Sequence, residues 1–157
     1  MFLRIDHVNM VAQDLEKMVE FYSSVLGLAV TKRVTISGDW VDAVTGLKGV
    51  IADVAYLDLV SGSLPGATRI ELIFYRSPQA AGHQGVAAPN SPGFRHIAFA
   101  VDDMELVVER LTQRNVHVLS EVLTVPDSQV TYSGGVRKRI VYFRDPEGNL
   151  LELCEYR

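Results

Sequence analysis

The stretch DHVNMVAQD, residues 6 to 14, returns as RHIAFAVDD, residues 95 to 103, and this repetition constrains the fold more than any other feature. A constant spacing of 89 positions carries His7 to His96, Val8 to Ile97, Met10 to Phe99, Leu15 to Met104, Glu16 to Glu105 and Val19 to Val108. A second pair of segments matches at a shorter spacing: RIELIFY, residues 69 to 75, against LLELCEY, residues 150 to 156, which pairs Glu71 with Glu152. Two copies of one unit, in the same element order, account for both correspondences better than chance similarity of amphipathic segments does.

Each copy divides in the same way. In the first, a strand over 3–11 precedes a helix over 15–26, which Asp14 caps, Glu16 supports in its first turn and Gly27 terminates. Leu15, Met18, Val19, Tyr22, Val25 and Leu26 recur at helical spacing and form its buried stripe. Strands over 28–36, 50–59 and 69–75 follow, separated by the turn sequences SGD, TGLKG and SGSLPG. The second copy has a strand over 94–101 and a helix over 103–114, with Asp102 and Glu105 at capping-box spacing. Strands over 116–123, 137–143 and 150–156 complete it, the last two joined by the turn DPEG at 145–148. Residues 80 to 93, AAGHQGVAAPNSPG, lack an apolar period and read as a linker, so the chain divides into a first module at 1–79 and a second at 94–157, together one domain.

Alternation along a strand sends successive side chains to opposite faces. The bulky apolar face of each strand packs on the helix of its own unit. That leaves His7 and Asn9, His96 with Ala98 and Ala100, Glu71 with Ile73 and Tyr75, and Glu152 with Cys154 and Tyr156 on the other face. Each unit therefore offers one histidine and one glutamate on its non-helix face. If the two sheets curve toward each other, four polar side chains meet in one cavity. Burying them there unpaired is costly, and a divalent cation compensates. Imidazole suits Zn, Ni, Co and Fe, and carboxylate adds Mn. Four protein ligands leave two positions of an octahedral ion open for water or substrate oxygens. A closed structural zinc site more often uses thiolates, and Cys154 is the only cysteine.

Composition removes several classes of partner. The formal net charge of -4 argues against phosphate-backbone binding and against an anionic membrane surface. A lone cysteine excludes an intrachain disulfide and fits a reducing cytosol. No secretory signal and no apolar run of membrane-spanning length is evident, so the expectation is a cytoplasmic protein with neither a nucleic-acid nor a membrane partner.

DHVNMVAQDLEKMVEFYSSVLGL, FRHIAFAVDD and FRDPEGNLLELCEY resemble the vicinal oxygen chelate superfamily, which includes glyoxalase I, methylmalonyl-CoA epimerase, extradiol dioxygenases and the fosfomycin and bleomycin resistance proteins. The resemblance covers nearly the whole chain. It implies an α+β fold of two βαβββ modules forming a cupped, barrel-like mixed sheet with helices on the outside, often dimeric, with a metal in the cup. His7, Glu71, His96 and Glu152 match the ligand positions.

The His, Glu, His, Glu set is similar to that of bacterial glyoxalase I, whereas extradiol dioxygenases generally use two histidines and one glutamate. The resemblance implies a metal-dependent lyase or isomerase. A small substrate chelates one divalent ion (Zn, Ni, Co, Mn or Fe) through adjacent oxygens, and a proton moves by way of an enediolate. Glu152 serves as base, with Glu71 as its partner. Where the glutathione-dependent enzyme carries an arginine four residues after its first histidine, this chain has Val11, and the insertion over 37–49 with Trp40 is a further departure. An iron(II) dioxygenase is a second reading, and a sequestering protein that binds a drug without turnover is a third. Asn9, Tyr75 and Tyr156 share the ligand-bearing face and are candidate substrate contacts, with packing the competing reading. Arg137, Lys138 and Arg139 read as a solvated strand edge, Cys154 as a small buried filler, and His83 and His117 have no matched partner.

Overall fold

The structure, a computed structural model, describes residues 4–59, 67–80, 88–130 and 134–157. The chain forms two compact units, Met1–His83 and Gln84–Arg157. The 61–66 turn, His83 and the middle of the expected linker lie outside the described residues.

The first unit opens with β1 (His7–Val11), which begins four residues later than the apolar pattern suggested. Asp14 then caps α1 (Leu15–Glu20), its carboxylate accepting from the Lys17 backbone N–H at 3.0 Å. The helical path continues as a π-helical turn, Phe21–Val25, and ends at Gly27, whose φ of 82° an L side chain rarely adopts. Met18, Val19, Tyr22 and Val25 are buried as the helical spacing predicts, and the wider turn buries Phe21 as well. Strands β2 (Ala29–Ser37), β3 (Ile51–Asp58) and β4 (Arg69–Ser77) complete a four-stranded sheet of order β1-β4-β3-β2. β1 runs parallel to β4, and the other neighbours are antiparallel.

Between β2 and β3 the chain forms a helix the periodicity did not suggest, α2 (Asp39–Thr45). Gly38 (φ 96°) admits the chain to it and Gly46, in the left-handed region, releases it. The Asp42 carboxylate binds the backbone N–H groups of Gly49 and Val50 at 2.7 and 2.8 Å, closing the return loop. Val41, 2% exposed, packs on Val50, Ala52, Val54 and Ile73. By strand alternation Ile73 shares its face with Glu71, so α2 covers the sheet face opposite to the one that α1 covers.

The second unit repeats the plan with β5 (His96–Ala100), α3 (Met104–Gln113), β6 (Leu123–Thr124), β7 (Lys138–Arg144) and β8 (Leu150–Tyr156), in sheet order β5-β8-β7-β6. Two expectations are corrected here. The cap of α3 is Asp103, which accepts from Leu106 N–H at 2.9 Å, rather than Asp102, while Glu105 pairs with Arg139 instead of closing a capping box. The strand expected over 116–123 shrinks to a single bridge from Val118 to Phe143 and the two-residue β6. Bends at 119–121 interrupt the pairing, and the exposure of Leu119 and Leu123 shows that no apolar face holds a longer strand in place. The DPEG turn is present. The buried Asp145 carboxylate accepts from Glu147 N–H, Asn149 N–H and the Asn149 amide, at 3.0, 2.9 and 2.8 Å.

Each unit is thus an open, mixed four-stranded sheet with its principal helix on one face, the α+β class expected. Among the described residues, no helix is long and apolar enough to cross a membrane.

Candidate metal centre

The parallel strand pair in each unit places its histidine and glutamate together. In the first, His7 pairs in register with Arg69 and Glu71 lies two residues further along β4, on the same face. His7 Nδ1 is 3.6 Å from Glu71 Oε1. In the second, His96 pairs with Leu150 and Glu152 lies two residues further along β8. His96 Nε2 is 3.5 Å from Glu152 Oε2. The same diagonal step across a parallel pair produces both contacts.

Neither contact is a good hydrogen bond. Two ligand atoms each about 2.1 Å from one ion lie roughly 3.0–3.5 Å apart, for angles between a right angle and the tetrahedral one. The separations are close to that range, and imidazole nitrogen with carboxylate oxygen is a donor set that first-row divalent ions accept. The donor atoms of the pair in each unit therefore suit a divalent ion as part of its ligand set. Among the described residues, no group of three or more His, Cys, Asp or Glu side chains is close enough to hold an ion on its own.

The antiparallel neighbour adds a residue to each pair that strand-by-strand reading missed. Tyr56 on β3 stands opposite Glu71, and Tyr142 on β7 stands opposite Glu152. Burial first, and then the neighbouring carboxylate, pushes both phenols above their ordinary range. The ring of Tyr142 also meets that of His96 edge-on, with centroids 5.4 Å apart. His, Glu and Tyr thus recur together in both units.

Around this common core the two units differ. His7 is half exposed and its Nδ1 also approaches Asp6 Oδ2 at 3.2 Å. Asp6 is held by Arg4 at 2.8 Å, and the hydrogen bonds from Arg4 and then His7 keep its carboxyl below the usual range. Glu71 remains partly accessible. Glu152, by contrast, is 4% exposed, and Lys138 Nζ lies 3.3 Å from its Oε1. Burial opposes the charge on Lys138, but Glu152 and Tyr156 outweigh it and hold the ammonium above its ordinary value.

Lys138 and Arg139 therefore do not form a solvated edge. Lys138 points to the ligand-bearing face. Arg139 points to the helix face, where it grips Glu105 and the buried Glu155, whose carboxylate also accepts from Met104 N–H at the start of α3 at 3.0 Å. Arg137 is exposed as expected.

The remaining candidates divide. Asn9 is the register partner of Glu71 and is exposed. Tyr75 packs beside the Val41 cluster, which favours the packing reading. Tyr156 lies on the ligand-bearing face with its ring 5.6 Å from Lys138 Nζ. Cys154 is buried, its thiol pushed up first by burial and then by Glu152, as a filler would be. His117 is exposed and no metal-ligating group joins it among the described residues. Trp40, on α2, is 59% exposed.

Comparison with known proteins identifies the family and the fold. Over 97% of its length the chain is 29% identical to the uncharacterized protein YaeR of Escherichia coli strain K12, covering 95% of that protein. It is 30% identical to a 2-epi-5-epi-valiolone epimerase from an Actinomyces species, over 95% of this chain and 77% of the epimerase. The crystal structure of a glyoxalase family protein from Bacillus cereus superimposes with a TM-score of 0.81 at 28% identity, covering 99% of this chain and 95% of that one. The trypanothione-dependent glyoxalase I of Leishmania major shares the fold, with a TM-score of 0.63 at 19% identity over 98% and 87% of the two chains. A family model described as Glyoxalase/Bleomycin resistance protein/Dioxygenase superfamily matches residues 4–153, and the chain belongs to that superfamily.

Proposed function

We propose that this protein is a metal-dependent isomerase or lyase acting on a small carbonyl substrate with a neighbouring oxygen, and that His7, Glu71, His96 and Glu152 together hold one divalent ion. The observation that carries this reading is the repetition of a His–Glu pair at the same diagonal register in both units, each with a tyrosine across the next rung. A single such pair is common in a sheet, but its recurrence at matched positions is what a shared ion requires.

When bound, a divalent ion of this kind supplies Lewis acidity to a substrate carbonyl. The chain's own residues supply the proton traffic. Glu152 takes a proton from the carbon beside the carbonyl and returns it to the adjacent carbon, so that the same carboxylate acts first as base and then as acid. Its burial keeps competing water from that proton, and Tyr142 donates to the carboxylate and fixes its direction. Glu71, with Tyr56 beside it, is the matching group of the other unit. The epimerase among the relatives supports proton transfer next to a carbonyl as the reaction class. The metal is one of Zn, Ni, Co, Mn or Fe, and a homodimer is the assembly that the reading carries.

Metal analysis of protein purified without added ions, followed by proton–deuterium exchange on small hydroxy-ketones and cyclic ketones, tests the proposal. One equivalent of divalent metal and exchange next to the carbonyl are expected. Metal-dependent oxygen uptake with a catechol, without exchange, would replace it by the iron(II) dioxygenase reading.

A further inference from the structure

Among the differences between the duplicated halves on the ligand-bearing face, one places an ammonium beside a glutamate in the second unit alone. In the first unit Ala52 stands opposite Tyr75, and in the second Lys138 stands opposite the matching Tyr156. Lys138 is 18% exposed in its side chain and lies 3.3 Å from one oxygen of Glu152, while His96 approaches the other oxygen at 3.5 Å. The Tyr156 ring, 5.6 Å from its ammonium, supplies further stabilisation. A half-buried ammonium is tolerated here because a buried carboxylate faces it.

That balance changes under the proposed function, on which this inference rests. Once Glu152 donates to a divalent ion, its charge is committed there, and Lys138 keeps a full positive charge beside a second cation. Like charges in a poorly solvated place repel, and an anion is what restores the balance. We propose that Lys138 is an anion subsite: it holds Glu152 in the metal-free chain and turns to a carboxylate or phosphate of the substrate in the metal-loaded one. Because the ammonium touches a ligand carboxylate, the anionic group belongs on a carbon near the reacting carbonyl rather than at a remote end. Ala52 offers no such group, so this subsite has no counterpart at the matching position of the first unit.

The test uses the full chain with Lys138→Met, Lys138→Gln and Lys138→Arg, each checked for folding by thermal melting. Titration of metal-free protein with Co(II) in a calorimeter should show roughly ten-fold tighter binding in the Met and Gln variants, because a competing cation has gone. Equilibrium dialysis of inorganic phosphate against cobalt-loaded protein should show roughly ten-fold weaker binding in the same two variants, with most affinity retained by Arg. Phosphate affinity unchanged in Lys138→Met and Lys138→Gln overturns the subsite, whatever cobalt does. Wild-type protein that takes up no cobalt overturns the proposed function and this inference together. Normal cobalt uptake with unchanged phosphate binding in the variants overturns the inference alone.

Discussion

Tyr142 stands directly across an antiparallel rung from Glu152, and that pairing repeats between Tyr56 and Glu71 in the other unit. A phenol facing a carboxylate in this way leaves it ionised, which suits the cation-binding and proton-accepting roles proposed for it. Replacing Tyr142 by phenylalanine should slow turnover by roughly five-fold, equivalent to one hydrogen bond of about 1 kcal/mol, and Tyr56→Phe should slow it less, while metal content stays at the wild-type value. Steady-state rates and elemental analysis of Tyr142→Phe and Tyr56→Phe check this.

Glu152→Gln should reduce turnover roughly a thousand-fold, as loss of a general base does, yet weaken metal binding less than His96→Ala does. An amide oxygen still donates to a cation, whereas alanine removes the ligand. Turnover assays with calorimetric metal titration separate the two effects, and full activity in Glu152→Gln would exclude the proposed base.

Saturating metal should raise the melting temperature, because an ion that binds only the folded chain stabilises it by about 2.7 kcal/mol at a hundred times its dissociation constant. A chelator should reverse the rise, and the rise should shrink in His7→Ala as much as in His96→Ala. Equal responses of wild type and His7→Ala would show that His7 is not a ligand.

The charge cluster on the helix face makes stability depend on acid. Hydrogen bonding by Arg139 first, and then by the helix start, holds the Glu105 carboxyl down at about 2, against an ordinary 4.5. Glu155 is also lowered: burial pulls the other way, but Met104 N–H, Arg139 and Arg157 together prevail. A carboxylate whose pKa is lower in the folded chain stabilises the fold above its unfolded value, and loses that contribution as pH falls toward the folded one. Wild-type melting temperature should therefore fall faster than that of Glu105→Gln as pH drops from about 4.5 to 2, and the two curves should converge at the acid end. Thermal melts across that range measure it.

Val41 ties α2 to the sheet, so Val41→Ala should cost about 2 kcal/mol by leaving two methyl groups' worth of apolar surface unburied. Urea unfolding checks the value. A near-zero change would mean that α2 is not anchored through this side chain.

Much of this was legible in the residues because strand and duplication are both periodic. A period of two placed His7, His96, Glu71 and Glu152 on the non-helix face, and the histidine and glutamate of each unit do meet. The spacing of 89 that pairs the histidines also carries Asp14 to Asp103, the cap that α3 uses, and following the repeat rather than the capping-box pattern would have found it. Three features were out of reach for physical reasons. α2 has only seven residues between two glycines, too few for an apolar period to emerge. β6 has no apolar face to fix its extent. Tyr56, Tyr142 and Lys138 matter through register between strands, and a single chain read along its length does not reveal which residues stand across from which.

Lys138 and Arg139 are sequence neighbours with opposite loyalties, as Glu152 and Glu155 are on the facing strand: one of each serves the binding face, the other clamps the helix behind it. Losing or gaining one residue in β7 would exchange its two assignments at a stroke, sending the ammonium to the helix face and the guanidinium to the face that carries Glu152. Only a length change in even steps along β7 or β8 leaves each side chain on its present face.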